Sequence, residues 1–195
     1  MKNVFVKVIC TAVAVTLVTA TLLCFTSCED NGDGGNTEAQ TASPDGSVAT
    51  YGNQVGNLCF TAELETFDGG SISIEDTRGK VTVINFWGEW CPWCLYELPD
   101  FNKVASEYAD SVSIIAIHSL SGIEDGLKYA ADNYAGTKMI FAKDALRGAY
   151  TYYDVLGGTG NYPRTIILDR DGVIVFSQYG AMSYDALVAE LENYI

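Results

Sequence analysis

Two uncharged, largely apolar runs lie in the middle of this 195-residue chain. Residues 81–86 and 112–117 are apolar apart from a few uncharged polar positions, and neither run contains a charge. Strands that are buried on both faces of a parallel sheet have such continuous runs, whereas half-exposed strands alternate. A helical pattern from about Pro92 to Tyr108 separates the two runs. The pattern therefore predicts a strand–helix–strand unit at the centre of the fold.

Shorter elements are predicted on both sides of this unit. On the N-terminal side, residues 58–66 and 71–74 flank an Asp-Gly-Gly turn and are expected to form a β-hairpin. On the C-terminal side, the Asp-Arg-Asp-Gly sequence at 169–172 is a strong hairpin turn. We expect the remaining elements at 123–134 (helix), 139–141 (strand), 145–152 (helix), 164–168 (strand), 173–177 (strand) and 184–194 (helix).

The first 27 residues have the pattern of an export signal. Lys2 and Lys7 precede an apolar segment without charge, residues 8–23, and small residues stand directly before Cys28. This ending resembles the cleavage site of bacterial lipoproteins, and it implies that Cys28 is lipidated. We therefore predict a lipoprotein signal peptide at residues 1–27. Ordinary secretion and an uncleaved membrane anchor are the alternatives, and all three place the domain outside the cytoplasm.

The next segment has the composition of a flexible tether. Residues 28–54 are rich in Gly, Asn, Asp, Ser and Thr and have almost no large apolar side chains, so they cannot bury enough surface to fold. A flexible chain of this length has a root-mean-square span of about 28 Å. Residues 55–195 remain as the folded domain, which is long enough for one α/β core.

The predicted mature chain is strongly acidic. Removal of the two lysines in the signal leaves 9 basic residues against 25 acidic ones, a net charge of −16. This balance argues against binding to nucleic acid and against electrostatic binding to anionic lipid.

Cys91 and Cys94 are separated by two residues at the junction of the first apolar run and the helix that follows it. We expect the sulfur of Cys91 to be exposed at the helix N-terminus, where the helix dipole stabilises a thiolate. A thiolate is the species that attacks disulfides, and Cys94 lies one turn further in. The spacing predicts thiol–disulfide exchange. Half of a zinc site and a purely structural disulfide are the alternatives; a structural zinc site needs four ligands, and only Cys59 and His118 are left to supply them.

The residues around these cysteines resemble a known family. Residues 86–94, Phe-Trp-Gly-Glu-Trp-Cys-Pro-Trp-Cys, are similar to the active-site segment of thioredoxin-fold proteins. Residues 95–99, Leu-Tyr-Glu-Leu-Pro, are similar to the TlpA/ResA-like extracytoplasmic thiol–disulfide oxidoreductases, and residues 161–165, Asn-Tyr-Pro-Arg-Thr, resemble the cis-proline loop of this fold. The resemblance covers about residues 55–195. It implies a thioredoxin-like α/β fold, with a central mixed sheet flanked by helices and an N-terminal β-hairpin extension.

The resemblance also implies a substrate-binding surface. Pro163 should follow a cis peptide bond, so that the backbone of Tyr162 lies beside the dithiol and can pair with an extended substrate segment. Trp90, Pro92 and Trp93 are the other residues that we expect to contact the substrate.

Glu97 is the candidate proton acceptor. It follows Cys94 by three residues and therefore shares its helix face. Resolution of a mixed disulfide requires Cys94 to lose a proton while buried, and a nearby carboxylate with a raised pKa could accept it. Asn85 stands where cytoplasmic thioredoxins bury an aspartate, and an amide cannot serve as the base. The alternative is that Glu97 is an exposed helix residue.

The sequence as a whole predicts an extracytoplasmic, membrane-anchored thiol–disulfide oxidoreductase. The Pro-Trp pair between the cysteines lacks the imidazole of strongly oxidising Cys-Pro-His-Cys pairs, which favours a reductase of disulfides in exported proteins. The resemblance implies a membrane electron-donor protein as partner. We expect a monomer with no cofactor and no metal. The alternatives are a disulfide-forming oxidase and, from a different class, a copper-binding or redox-inert binding module.

Two other residues with possible chemistry are given structural interpretations. Cys59 lies between Leu58 and Phe60, which favours a buried apolar thiol over a regulatory one. Trp87 is expected to pack in the core.

Overall fold

A five-stranded mixed sheet forms the centre of the fold. Its strands are β1 (Val81–Trp87), β2 (Val112–His118), β3 (Ile140–Lys143), β4 (Arg164–Leu168) and β5 (Ile174–Tyr179). Their order across the sheet is β5-β4-β1-β2-β3. Strands β1, β2 and β3 are parallel, and β4 is antiparallel to both of its neighbours. The parallel pairing brings the carboxyl ends of β1 and β2 to one edge, where Trp87 lies opposite His118.

The computed structural model describes residues 41–42 and 48–195. The predicted signal peptide (1–27), Cys28 and most of the predicted tether lie outside the described residues. Tyr51–Gly52, at the end of the predicted tether, forms a short strand that pairs with the next strand along the chain. Regular structure therefore begins before the expected domain boundary at Val55.

Four α-helices accompany the sheet in the described residues. Side-chain caps start three of them: the side chains of Cys91, Thr151 and Ser183 each accept a backbone N–H from the first turn. Within the described part of the chain, none of these helices has the length and apolar composition required to cross a membrane. The helices are α1 (Pro92–Glu107), α2 (Ile123–Asn133), α3 (Tyr152–Val155) and α4 (Tyr184–Leu191), and a 3₁₀ turn covers Ile74–Thr77.

The core lies on both faces of the sheet because side chains alternate along each strand. On one face, Val83 and Trp87 pack with residues of α1, α2 and α4. On the other face, Ile84 and Phe86 pack with α3 and with the elements that precede β1. The expected sheet with helices on its faces is confirmed. Packing of α1 on this sheet places the start of the helix at the carboxyl end of β1.

The N-terminal β-hairpin is present but shorter than expected. Only Glu63–Glu65 and Ser71–Ser73 pair as antiparallel strands. Leu58–Cys59 instead pairs in parallel with the short strand before it. A further antiparallel pair joins Thr41–Ala42 to Val48–Ala49.

The helix predicted at 145–152 is wrong. Leu146–Arg147 and Tyr150–Thr151 form a small antiparallel hairpin, and Gly148 takes a positive φ of 68° in its turn. The helix begins only after Thr151, whose side chain caps the first turn. The glycine and the cap together stop a helix from starting earlier. The closing helix was also predicted too long, since α4 ends at Leu191.

Candidate active site

Cys91 and Cys94 form a disulfide at the start of α1, just after β1 ends. Their Cα atoms are 5.2 Å apart. The Sγ of Cys91 accepts the backbone N–H of Cys94 at 3.2 Å. Pro92 occupies the first helical position, where its missing N–H costs no helix hydrogen bond. The free N–H groups and the dipole of a helix start favour negative charge, and this is the basis for expecting a thiolate at Cys91 in the reduced protein.

Both cysteines are buried, and this corrects the expectation of an exposed Cys91. Cys91 is 5% exposed and Cys94 is wholly buried. Both belong to the cluster that packs α1 on the sheet, which explains the low exposure. Trp90 and Trp93 flank Cys91 closely in sequence and are 47% and 65% exposed. The accessible surface at the site is therefore aromatic, with only a small area of sulfur.

The loop before β4 lies against the turn that leads into α1. The Tyr162–Pro163 peptide bond is cis, and Pro163 is buried. The Pro163 carbonyl accepts the N–H of Gly180 at 2.9 Å. The Tyr162 ring meets Trp90 edge to face, with 5.2 Å between ring centroids. Of the predicted substrate-binding residues, Trp90 and Tyr162 are thus in direct contact.

Aromatic contacts extend on both sides of this meeting point. Tyr162 stacks on Tyr153 of α3 at 4.7 Å. Trp93 contacts Tyr96 edge to face on the outer side of α1. Trp87, in contrast, is wholly buried, which confirms its place in the core.

Glu97 is wholly buried beside the sheet. Its Oε1 accepts the side-chain N–H of Asn85 at 2.7 Å, and its Oε2 accepts the backbone N–H of Met182 at 2.9 Å. Burial raises the pKa of Glu97 to about 7 even though both hydrogen bonds lower it. The alternative of an exposed helix glutamate is wrong. A carboxyl group that titrates near neutral pH can accept a proton and return it.

Asn85 holds this carboxyl group in place from the middle of β1. Its Nδ2 donates to Glu97 and lies 3.4 Å from the hydroxyl of Thr165 on β4. Its Oδ1 is buried and has no hydrogen-bond partner among the described residues. The amide therefore orients Glu97 and leaves one buried acceptor unused.

Glu89 is a residue that the sequence analysis missed. Its carboxylate contacts Nε2 of His118, and Nδ1 of the same ring contacts the carbonyl of Ser119. Both ring nitrogens are therefore engaged by oxygen atoms of this chain. The pairing of β1 with β2 brings the two residues together, although 29 positions separate them in sequence. No local motif signals such a contact.

Cys59 is a buried thiol, as predicted. It is 1% exposed and forms no disulfide within the described residues. Burial raises its pKa to about 11, although a contact with the Tyr152 hydroxyl at 3.4 Å lowers it. A protonated, buried thiol is not a nucleophile.

Known proteins are similar to this chain in sequence. The family model described as the AhpC/TSA family matches residues 55–177. Thioredoxin-like protein YneN of Bacillus subtilis is 32% identical over 143 residues, which are 72% of this chain and 81% of the relative. Thiol-disulfide oxidoreductase ResA of Bacillus anthracis is 28% identical over 146 residues, which are 73% of this chain and 77% of that relative.

Solved structures share the fold. The pneumococcal exposed lipoprotein thioredoxin Etrx1 of Streptococcus pneumoniae matches with a TM-score of 0.59 at 24% identity, over 69% of this chain and 99% of that chain. StoA of Bacillus subtilis matches with a TM-score of 0.55 at 21% identity, over 67% and 96% of the two chains. The predicted thioredoxin-like fold is confirmed.

Proposed function

The chain belongs to the AhpC/TSA family and is a thiol–disulfide oxidoreductase, and from this premise we propose that it reduces disulfides in exported proteins while anchored outside the cytoplasm. The observation that carries the proposal is the Cys91–Cys94 disulfide at the start of α1, with Glu97 buried on the same helix. We propose that a membrane electron-donor protein returns the dithiol to its reduced state after each turnover.

The reaction is two successive exchanges. The Cys91 thiolate attacks a substrate disulfide, forms a mixed disulfide and releases one substrate thiolate. The Cys94 thiol then loses its proton and attacks the Cys91 sulfur, which releases the second substrate thiolate. Two electrons pass from the dithiol to the substrate, and each released thiolate takes up a proton. The Cys91–Cys94 disulfide would be the product of these two exchanges.

Glu97 would act in the second exchange. Cys94 is wholly buried, so its thiol does not lose a proton readily to water. Glu97 lies one helical turn further along α1, and its pKa of about 7 suits a base that works at neutral pH. We propose that it takes the Cys94 proton as the mixed disulfide resolves.

The substrate would bind on the aromatic surface around Cys91. Trp90 and Trp93 offer exposed rings, and Tyr162 contributes a half-buried one. We propose that an extended segment of the exported protein lies along Tyr162 and Pro163 and covers Pro92. Its disulfide would then stand over Cys91.

The reduction potential tests the direction of electron flow. The full-length protein is equilibrated with glutathione buffers, and the oxidised fraction is read by thiol alkylation. We expect a potential of about −250 mV or below, which is typical of reductants, whereas a value near −120 mV would show a disulfide-forming oxidase.

Two matched variants test the roles of the cysteines: Cys94→Ala should trap mixed disulfides with partners, and Cys91→Ala should trap none. The reverse pattern would exchange the two roles.

The location is tested at Cys28. The signal pattern and the tether composition support lipidation of this residue, and Etrx1, which shares the fold, is described as an exposed lipoprotein. Cys28→Ser should release the protein from the membrane fraction and leave its reduction potential unchanged. Retention of an uncleaved Cys28→Ser protein in the membrane would instead indicate a signal anchor.

A further inference from the structure

A carboxylate–imidazole pair lies beside the turn that leads to Cys91. Oε2 of Glu89 is 2.6 Å from Nε2 of His118. The His118 side chain is wholly buried, and the Glu89 side chain is 18% exposed. The pair joins the loop after β1 to the end of β2. None of the chemistry described above uses it.

The two contacts of the ring bear on the number of protons in the pair. Nδ1 of His118 contacts the carbonyl oxygen of Ser119, which can only accept, so a hydrogen bond between them requires a hydrogen on Nδ1. Nε2 faces a carboxylate oxygen, and two acceptors at this distance would repel each other. A second hydrogen therefore lies between Nε2 and the carboxylate of Glu89. The hydrogen can reside on Nε2 of His118 or on the carboxyl group of Glu89, and in both cases the net charge of the pair is zero.

The fold leaves space for the pair and encloses it. A Cβ at Gly126 would stand 2.3 Å from Nε2 of His118, and a Cβ at Gly122 would stand 2.4 Å from Oε1 of Glu89. The Trp87 ring meets the imidazole edge to face at 4.7 Å. Two glycines of the α2 region and a core tryptophan thus surround the two side chains.

Glu89 and Cys91 lie in the same turn of the chain. The Cys91 N–H donates to the carbonyl of Gly88 at 3.1 Å, so residues 88–91 form a turn that contains Glu89. Two residues of chain span at most about 7 Å between Cα atoms. The carboxylate and the sulfur each lie one side chain away from these Cα atoms, so we take their separation to be on the order of 10 Å.

The surroundings of the pair carry one further carboxylate that no ion pair balances. The exposed side of Glu89 opens onto a depression that is lined by Asp125 and by the ion pair of Lys128 with Asp132. A further uncompensated negative charge in this region would oppose the formation of a thiolate. Neutralisation of the Glu89 charge therefore favours the thiolate form of Cys91.

We propose that Glu89 and His118 are a neutral positioning pair in which the imidazole cancels the carboxylate charge next to Cys91 and so keeps its thiolate available. The inference rests on the proposed function, in which Cys91 is the attacking sulfur. A unit charge at about 10 Å, with an effective dielectric constant of about 20 to 40, changes the thiolate fraction roughly four- to fifteenfold.

A double-mutant cycle tests the pair. Full-length proteins in a Cys94→Ala background are alkylated from pH 5 to 9, and the rate at Cys91 is read by mass spectrometry. His118→Gln leaves Glu89 charged and should lower the thiolate fraction at pH 7 about four- to fifteenfold. Glu89→Gln should stay within about twofold of wild type. The double variant should return to within about twofold, because the uncompensated charge is gone. Asp125→Asn is the matched control for loss of a nearby carboxylate, and it should also stay within about twofold.

Two results would overturn the inference: a double variant no better than His118→Gln, or four variants that all match wild type. Because the chain has one histidine, ¹⁵N NMR of the imidazole in the unsubstituted protein tests the pair even if His118→Gln does not fold. A hydrogen on both ring nitrogens, or a neutral imidazole beside a Glu89 whose ¹³C carboxyl shift shows protonation, supports the pair, and a neutral imidazole beside an ionised Glu89 contradicts it. Alkylation needs no disulfide substrate, so failure of the proposed function would leave this test intact.

Discussion

At the scale of single residues, the carboxyl group of Glu97 shows two opposed effects of the fold. Hydrogen bonds from Asn85 and from the N–H of Met182 stabilise its charged form. Burial penalises the same form more strongly, so the pKa rises to about 7. At neutral pH, Glu97 is therefore close to half-protonated, whereas an ordinary glutamate is fully ionised.

Glu97→Gln should slow the resolving exchange and leave the first attack by Cys91 unchanged. General-base assistance typically contributes about 10²–10⁴-fold in rate, and the amide cannot accept the Cys94 proton. Stopped-flow exchange from about pH 5 to 9 separates the two steps. Asn85→Asp in the Glu97→Gln background should partly restore the rate at neutral pH. Superimposable profiles of wild type and Glu97→Gln would show that another group takes the proton.

At the scale of elements, strand β4 carries an unusual charge into the core. Arg164 is 4% exposed, and its Nε and Nη1 have no hydrogen-bond partner among the described residues. Its Nη2 donates to Ser177 at 3.3 Å, and its guanidinium lies 5.1 Å from the centroid of the Tyr179 ring. The stacking offsets only part of the desolvation cost, because a cation–π contact contributes about 0.5–2 kcal/mol. A buried charge without a full set of partners costs more than that.

Arg164→Met should therefore raise the free energy of unfolding, by about 1 kcal/mol. An apolar side chain of similar length fills the same space without the desolvation cost. Urea unfolding of the full-length protein measures the change. Arg170→Met, at an exposed turn position, is the control and should stay within about 0.5 kcal/mol of wild type. A loss of more than about 1 kcal/mol in Arg164→Met would contradict the expectation.

The elements that the sequence predicted best are those with an unbroken pattern. Strands β1 and β2 and helix α1 could be placed because their apolar runs and the Cys-Pro-Trp-Cys motif are local features. The short hairpin around Gly148 was mistaken for a helix, since two-residue strands have no detectable period. The burial of Cys91 and the contact of Glu89 with His118 could not be predicted, because both depend on how separate segments meet.

At the scale of the whole molecule, two buried carboxyl groups couple stability to pH. Burial raises the pKa of Glu97 to about 7 and that of Asp144, which accepts the N–H groups of Tyr152 and Tyr153, to about 6. Their ordinary values are 4.5 and 3.8. Between the ordinary and the raised values, the folded protein binds more protons than the unfolded chain. The free energy of unfolding therefore falls as pH rises through this range.

The oxidised protein should consequently lose stability between about pH 4.5 and 7, and Glu97→Gln should lose less. A displacement of about 2.5 pKa units corresponds to about 3 kcal/mol, so the gap between the two stability curves should change by about that amount across the window. Denaturant unfolding at several pH values measures both curves. Because the same acidic surface is present in both proteins, its own pH dependence cancels in the difference. Parallel curves would mean that Glu97 titrates alike in the folded and unfolded states, and would remove the physical basis for its role as a base at neutral pH.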